Sequence, residues 1–158
     1  MPFHDRQQGA ETFKHWPVSI DATYLYTAGV AGARFFGALQ KDGKILATEC
    51  TGCAIEYLPP RIYCERCFAD LSKSWHEVAP SGVVAGLTVM RFGLDGKALG
   101  SPEVRALVRL GKGTGGLIHR VLADPAKVKM GTRVVLRLKP RAKRQGNLLD
   151  IEGFELTK

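Results

Sequence analysis

Two CxxC pairs, Cys50-Thr51-Gly52-Cys53 and Cys64-Glu65-Arg66-Cys67, hold all four cysteines of the 158-residue chain, with ten residues between the pairs. Two residues between paired cysteines let one tight turn aim both thiolates at a single tetrahedral ion, and two such turns close a four-thiolate site. Zinc suits that site, because it accepts soft sulfur ligands and imposes no geometry of its own. The competing assignments are a redox CxxC or two disulfides. A thioredoxin-type redox motif needs one CxxC in a βαβ setting, and two paired motifs argue against it. Cys50, Cys53, Cys64 and Cys67 are therefore expected to hold one structural zinc ion. Four thiolates leave no position for water or substrate, and no cysteine remains to act as a nucleophile.

Other catalytic groups are hard to assemble. The histidines are His4, His15, His76 and His119. His119 falls mid-strand and is expected to be a packed or edge residue. There is no GxSxG nucleophile elbow and no HExxH. The glycine-rich run Gly111–Gly116 lacks the spacing and the Lys-Ser/Thr ending of a phosphate-binding loop, so it reads as a flexible turn. No catalytic residue is assigned.

Hydrophobic residues make up 45% of the chain, which supports a packed core and argues against disorder. The length fits one average domain, or two small ones with one stapled by metal. No apolar run approaches the ~20 residues of a membrane span, and the first twelve residues show no secretory signal pattern. Reduced, metal-bound cysteines fit the cytosol, so a cytoplasmic location is expected. The net charge of +8 is uneven: residues 1–80 carry 8 Lys/Arg against 9 Asp/Glu, a balance of −1, and residues 81–158 carry 15 against 6, a balance of +9. A basic half beside a neutral half points to an anionic partner, which could be nucleic acid, a phosphorylated cofactor or an acidic protein face. A solvated basic surface would give the same balance.

The elements that must position these groups fall into three segments. Residues 1–43 read as an arm followed by a helix from Asp21 to about Lys41, with Tyr24, Ala28, Ala31, Phe35 and Ala38/Leu39 on one stripe. Residues 44–80 read as the ribbon around the cysteines, with strands at Lys44–Glu49 and Ser74–Val78. Trp75 is expected to cover one side of the metal. Beyond Pro80-Ser81-Gly82 the periodicity changes to two. Val83–Phe92 is nearly all apolar, as a strand covered on both faces would be. Glu103–Leu110 and Arg133–Pro140 alternate, and Leu117–Leu122 adds a further strand. A helical turn opens at Asp124-Pro125, and Gln145-Gly146-Asn147 supplies a hairpin turn. In the last strand the apolar parity shifts from Leu149/Ile151 to Phe154/Leu156 across Gly153, which predicts a bulge. Five strands with a helical turn between the third and fourth match an OB barrel over 81–158. The fold class expected is mainly β with an N-terminal helix, a rubredoxin-like zinc ribbon and a five-stranded OB-fold barrel.

That order of parts resembles the family of acyl-CoA-associated zinc-ribbon/OB-fold proteins, formerly a domain of unknown function, over roughly residues 33–157. The resemblance rests on Arg34-Phe35-Phe36-Gly37-Ala38-Leu39 before Gly43-Lys44-Ile45-Leu46, then the first knuckle, Pro59-Pro60-Arg61, the second knuckle, Trp75 and Ser81-Gly82-x-Val84. Asp124-Pro125 ahead of Lys129-Met130-Gly131-Thr132-Arg133-Val134 completes it. Many members place glycine after the second cysteine of a knuckle, where this chain has Ala54 and Phe68. The resemblance implies a non-catalytic subunit that packs on a thiolase-fold catalytic partner acting on acyl-CoA, forming a hetero-oligomer and shaping substrate access. A hydratase is the alternative partner.

Given that implication, Arg105, Arg109, Lys112, Arg133 and Arg137 are candidates for contacts to CoA phosphates or to an acidic partner. The strand residues share outward faces, and Lys112 sits on the glycine-rich loop. The alternative is a single-stranded nucleic-acid-binding protein, since ribbons and OB barrels both serve that purpose. It is disfavoured because barrels that bind single strands stack bases on aromatic side chains. Residues 81–158 hold only Phe92 and Phe154.

Overall fold

The computed structural model describes Thr23 and residues 26–93, 95–113 and 115–157. These contain one helix, α1 (Gly29–Asp42), and eight strands: β1 (Ile45–Cys50), β2 (Ile55–Tyr57), β3 (Trp75–Val78), β4 (Ser81–Phe92), β5 (Ala98–Leu110), β6 (Leu117–Val121), β7 (Arg133–Leu138) and β8 (Ile151–Leu156). The first three strands form an antiparallel sheet in the order β2-β1-β3. The last five close into a barrel in the order β4-β5-β6-β8-β7, with β7 returning to β4. β6 and β8 run parallel through Val121 and Phe154, and the other barrel neighbours are antiparallel. A 3-10 turn over Pro125–Lys127 sits between β6 and β7, where the Asp124 carboxylate accepts the Ala126 N–H at 2.9 Å. This is the mainly β, ribbon-plus-OB architecture expected from the sequence.

One apolar core joins the parts. Phe35 and Leu39 of α1, Ile45, Ala47, Leu58 and Val78 of the ribbon, and Val84, Val104, Val108, Leu110, Val134 and Phe154 of the barrel are buried in a single cluster. The helix is shorter than its apolar stripe predicts. Asp21, Ala22 and Tyr24 lie outside the described residues, but Tyr26–Ala28 are not helical. Gly29 takes a left-handed φ of 65° and donates its N–H to Thr27 Oγ1 at 3.1 Å, which stops a right-handed helix from running back through it. At the other end, Arg144 donates to the Leu39 carbonyl at 3.4 Å and to the Lys139 carbonyl at 2.8 Å. A cation at a helix C-terminus is favourable, and here it ties α1 to the β7–β8 connection.

Two further expectations are corrected. The β7–β8 connection is not a tight hairpin, although Gly146 does turn the chain with φ 77°. It spans residues 139–150 and is organised by Asp150, only 1% exposed, whose carboxylate accepts the N–H groups of Gln145 and Gly146 at 2.7 Å and of Asn147 at 3.3 Å. Burial pushes the Asp150 carboxyl up, but these three N–H groups hold it below the usual range. Leu149 belongs to that connection and is exposed, so it takes no part in β8. β4 is also not covered on both faces. Its far end pairs only with β5, and Phe92 there is 62% exposed. The bulge at Gly153 is present: β7–β8 pairing steps from Arg137–Gly153 to Leu138–Ile151.

Candidate metal centre and the ribbon–barrel seam

The four sulfur atoms of Cys50, Cys53, Cys64 and Cys67 lie within 4.8 Å of one another, and Cys50 and Cys67 are 3.6 Å apart. A tetrahedron of thiolates ~2.3 Å from a central ion has edges of ~3.8 Å. The cluster therefore suits a four-sulfur metal site, with small side-chain adjustments closing the wider sulfur pairs on the ion. Cys50 closes β1, and Cys64 opens the second knuckle, where its N–H bonds the Ala69 carbonyl at 3.0 Å and its carbonyl accepts the Phe68 N–H at 2.9 Å. Backbone N–H groups of Cys67 and Arg66 also point at the Cys64 sulfur.

Each knuckle forces the residue after its second cysteine into the left-handed region: Ala54 has φ 54° and Phe68 φ 59°. Glycine would adopt this conformation without strain. A side chain in that conformation costs about 1–2 kcal/mol, partly offset by the extra unfolded-state freedom of glycine. Phe68 is 79% exposed, so little burial is at stake. Ala54→Gly and Phe68→Gly are each expected to raise stability by about 0.5–1 kcal/mol, read as a higher denaturation midpoint of the metal-loaded protein.

Tyr57, not Trp75, covers the cluster. Tyr57 and Leu71 are buried against Cys50 and Cys64. The Tyr57 hydroxyl lies 3.2 Å from Cys64 Sγ and accepts the Glu65 N–H at 3.2 Å. It therefore donates to the sulfur: this bond is the main reason that the Cys64 thiol is drawn down to about 6 and that the Tyr57 phenol is pushed up to about 12. Trp75 instead lies beneath Arg34, whose guanidinium carbon sits 4.4 Å from the ring centroid and joins α1 to β3. Thr48, fully buried, pins the return of the chain by donating to the Arg61 carbonyl at 2.9 Å and accepting the Arg61 N–H at 3.0 Å. Loss of a hydrogen bond to a metal ligand lowers affinity about 10–100-fold. Tyr57→Phe is expected to do so in a competition titration with a chelator while leaving the ribbon folded.

The sequence reads Gly111–Gly116 as a flexible turn, but its first part is hydrogen-bonded to the ribbon. It is clamped to β2. Glu56 Oε1 accepts the N–H groups of Lys112 at 2.9 Å and Gly113 at 2.8 Å, and Glu56 Oε2 lies 2.7 Å from His76 Nε2. The glycines permit the contact: a Cβ on Gly113 would meet the Glu56 carbonyl oxygen at 2.6 Å, and one on Gly115 would meet the Leu58 carbonyl oxygen at 2.1 Å. Burial pushes the Glu56 carboxyl up, but His76 and the N–H groups of Gly113 and Lys112 outweigh it and leave the group below its usual value of 4.5. A depressed carboxylate contributes stability above its unfolded value, and that stability is lost as pH falls through the folded one. The stability gap between wild type and Glu56→Gln, read from urea midpoints, is thus expected to be about 1–3 kcal/mol near pH 7 and to close below pH 4.5.

The five basic candidates do not converge. Arg109 and Arg133 flank Val83 in one row across β5, β4 and β7. Arg105 pairs with Glu103 at 2.9 Å, and Arg137 is held by Glu152 at 2.7 Å and Glu155 at 2.6 Å. Lys112 stands apart, lining a cavity with Glu49, Glu56, Glu65 and Glu77. His119 is buried in the barrel wall with no partner for Nδ1 among the described residues, and burial followed by Arg105 and Arg120 pushes it below its usual value.

Comparison with known proteins follows these parts. Residues 41–72 match the family model for the ChsH2 rubredoxin-like zinc ribbon domain. No curated protein matches the chain. A DUF35-family protein of unknown function from Sulfolobus solfataricus has the same fold, with a TM-score of 0.64 at 24% identity over 82% of this chain and 87% of that one. The Ltp2–ChsH2(DUF35) aldolase gives a TM-score of 0.56 at 25% identity over 79% of this chain and 93% of the matched one. Fold and cysteine cluster define a rubredoxin-like zinc ribbon joined to a five-stranded barrel. The matching ribbon model and the two structures support a zinc-ribbon protein of the DUF35 family. No helix among the described residues is long and apolar enough to cross a membrane.

Proposed function

We propose that this chain is the zinc-binding, non-catalytic subunit of a hetero-oligomeric enzyme acting on CoA thioesters, scaffolding a thiolase-fold partner and shaping acyl-CoA access. The observation that carries the reading is that every cysteine of the chain lies in one closed four-sulfur cluster. Zinc on Cys50, Cys53, Cys64 and Cys67 would hold the two knuckles together and leave no open coordination position. Thiolysis needs an activated cysteine, so that residue must lie on the partner. Arg105, Arg109 and Arg133 are the proposed contacts to CoA phosphates or to the partner. Arg137, neutralised by two glutamates, and Lys112, facing an acidic cavity, suit that role less well.

A second reading has specific support. The structurally similar Ltp2–ChsH2(DUF35) protein is an aldolase. Thiolytic and aldol cleavage both break the bond between the α and β carbons of a thioester and pass through an enolate at the α carbon, so one kind of accessory subunit could serve either. Nucleic-acid binding gains no support from the barrel: of its two aromatics, Phe154 is fully buried and only Phe92 is exposed.

The test is purification of a tagged copy from its native host, with metal analysis. The reading expects about one zinc per chain and a thiolase-fold protein in stoichiometric amount. A chain that purifies alone and stable would contradict it.

A further inference from the structure

An apolar groove of about 370 Å³ runs between α1, the Pro59-Pro60 turn and the start of β6. Phe35 and Phe36 form one wall, Pro59 and Pro60 the second, and Leu117 and Leu148 the third. Ile118 stands on its rim and is 69% exposed, and Leu148 is 39% exposed. Isolated exposed leucines need no explanation, but a contiguous apolar groove with a polar rim does.

The rim has a definite charge. Along β6, Leu117, His119 and Val121 are buried, and Ile118 and Arg120 face outward. Across the sheet, Leu107 of β5 pairs with Ile118, and Arg105 pairs with Arg120. Arg109, two residues beyond Leu107, presents to the same outward face. Ile118 is therefore the point where the apolar groove meets a strip of three arginines. Of these, Arg105 has a carboxylate partner in Glu103, Arg120 donates to the Glu152 carbonyl, and Arg109 makes no ion pair among the described residues. A neutral apolar occupant would leave these guanidinium groups beside a dehydrated surface. An occupant with carboxylates flanking its apolar side chains would satisfy both parts.

We propose that this groove receives an acidic amphipathic segment of the catalytic subunit, with apolar anchors between α1 and β6 and carboxylates on Arg105, Arg109 and Arg120. The proposal rests on the accessory-subunit reading and assigns its docking surface. Because Ile118 is exposed, a polar replacement there leaves the barrel core intact.

The experiment uses the complex of this chain with the catalytic subunit that purifies with it. A photoreactive benzoylphenylalanine replaces Ile118, and Ile118→Asp and Arg109→Glu are compared with wild type for Kd over a range of salt. The cross-link is expected in an acidic stretch of the catalytic subunit. Ile118→Asp is expected to weaken the complex by at least about 30-fold. Arg109→Glu should weaken it about 10-fold and reduce its salt dependence. Zinc content and melting temperature verify that each variant is folded. A cross-link to a second copy of this chain, or to its own residues 1–22, overturns the proposal. So does displacement of the cross-link by octanoyl-CoA, which would make the groove an acyl site. A wild-type complex that forms normally and tolerates Ile118→Asp overturns the groove assignment alone, whereas a wild-type chain with no catalytic partner overturns the function reading with it.

Discussion

Cys64→Ala is expected to yield a chain that binds no zinc and whose ribbon does not fold. Cys64 is fully buried, accepts the Tyr57 hydroxyl and lies in the cluster with the other three sulfurs. Structural zinc contributes about 10–16 kcal/mol of apparent binding free energy in small zinc modules, which matches or exceeds the whole stability of a typical domain, about 5–15 kcal/mol. The ribbon shares its core with α1 and the barrel through Ile45, Ala47, Leu58 and Val78. Loss of the ion should therefore lower barrel stability as well and leave most of the protein aggregated. Circular dichroism and zinc analysis of Cys64→Ala, beside wild type treated with a strong chelator, provide the check. A soluble Cys64→Ala chain with a wild-type melting temperature would remove the structural role of the metal.

Gly115→Ala is the second large effect. The added Cβ would fall 2.1 Å from the Leu58 carbonyl oxygen and 3.0 Å from the Leu58 carbonyl carbon and nitrogen. These are backbone atoms and cannot rotate away. The loop must lift from β2, which also pulls the Lys112 and Gly113 N–H groups from Glu56. Overpacking of this kind costs about 1–3 kcal/mol, and the half-buried Glu56 carboxylate losing its donors adds to it. The expected total is about 3 kcal/mol, measured by urea unfolding. Gly52→Ala is the control, since nothing lies within 4 Å of its added Cβ. Equal stability of the two variants would show that the loop does not need glycine to approach the ribbon.

The features legible in the sequence are those set by local spacing. Two CxxC pairs fix a four-sulfur cluster because each pair is a single turn, and the alternation in Glu103–Leu110 and Arg133–Pro140 fixes which side of a strand faces the core. The shift of parity across Gly153 located a bulge for the same reason. Contacts between distant segments were not legible. Glu56 and Gly113 are 57 residues apart in sequence, so the glycine run could be read only by composition, as a flexible turn, when it serves close backbone approach. Trp75 was expected to cover the metal because it is the large aromatic of the ribbon, and only the register of β1 with β2 and β3 shows that Tyr57 faces the sulfurs instead. The helix start was obscured because the apolar stripe, with Tyr24 and Ala28, runs back past Gly29, whose left-handed φ of 65° ends the helix there.

The central claim is that this chain supports thioester chemistry performed by another subunit. Its most direct test is reconstitution: the isolated chain, the catalytic partner and the mixture are assayed for cleavage of 3-oxoacyl-CoA with CoA and of 3-hydroxyacyl-CoA without it. The account predicts no turnover by the isolated chain, little by the partner, and strong turnover by the mixture that disappears when zinc is stripped from this chain. Turnover by the isolated chain, or a partner equally active without it, would contradict the account.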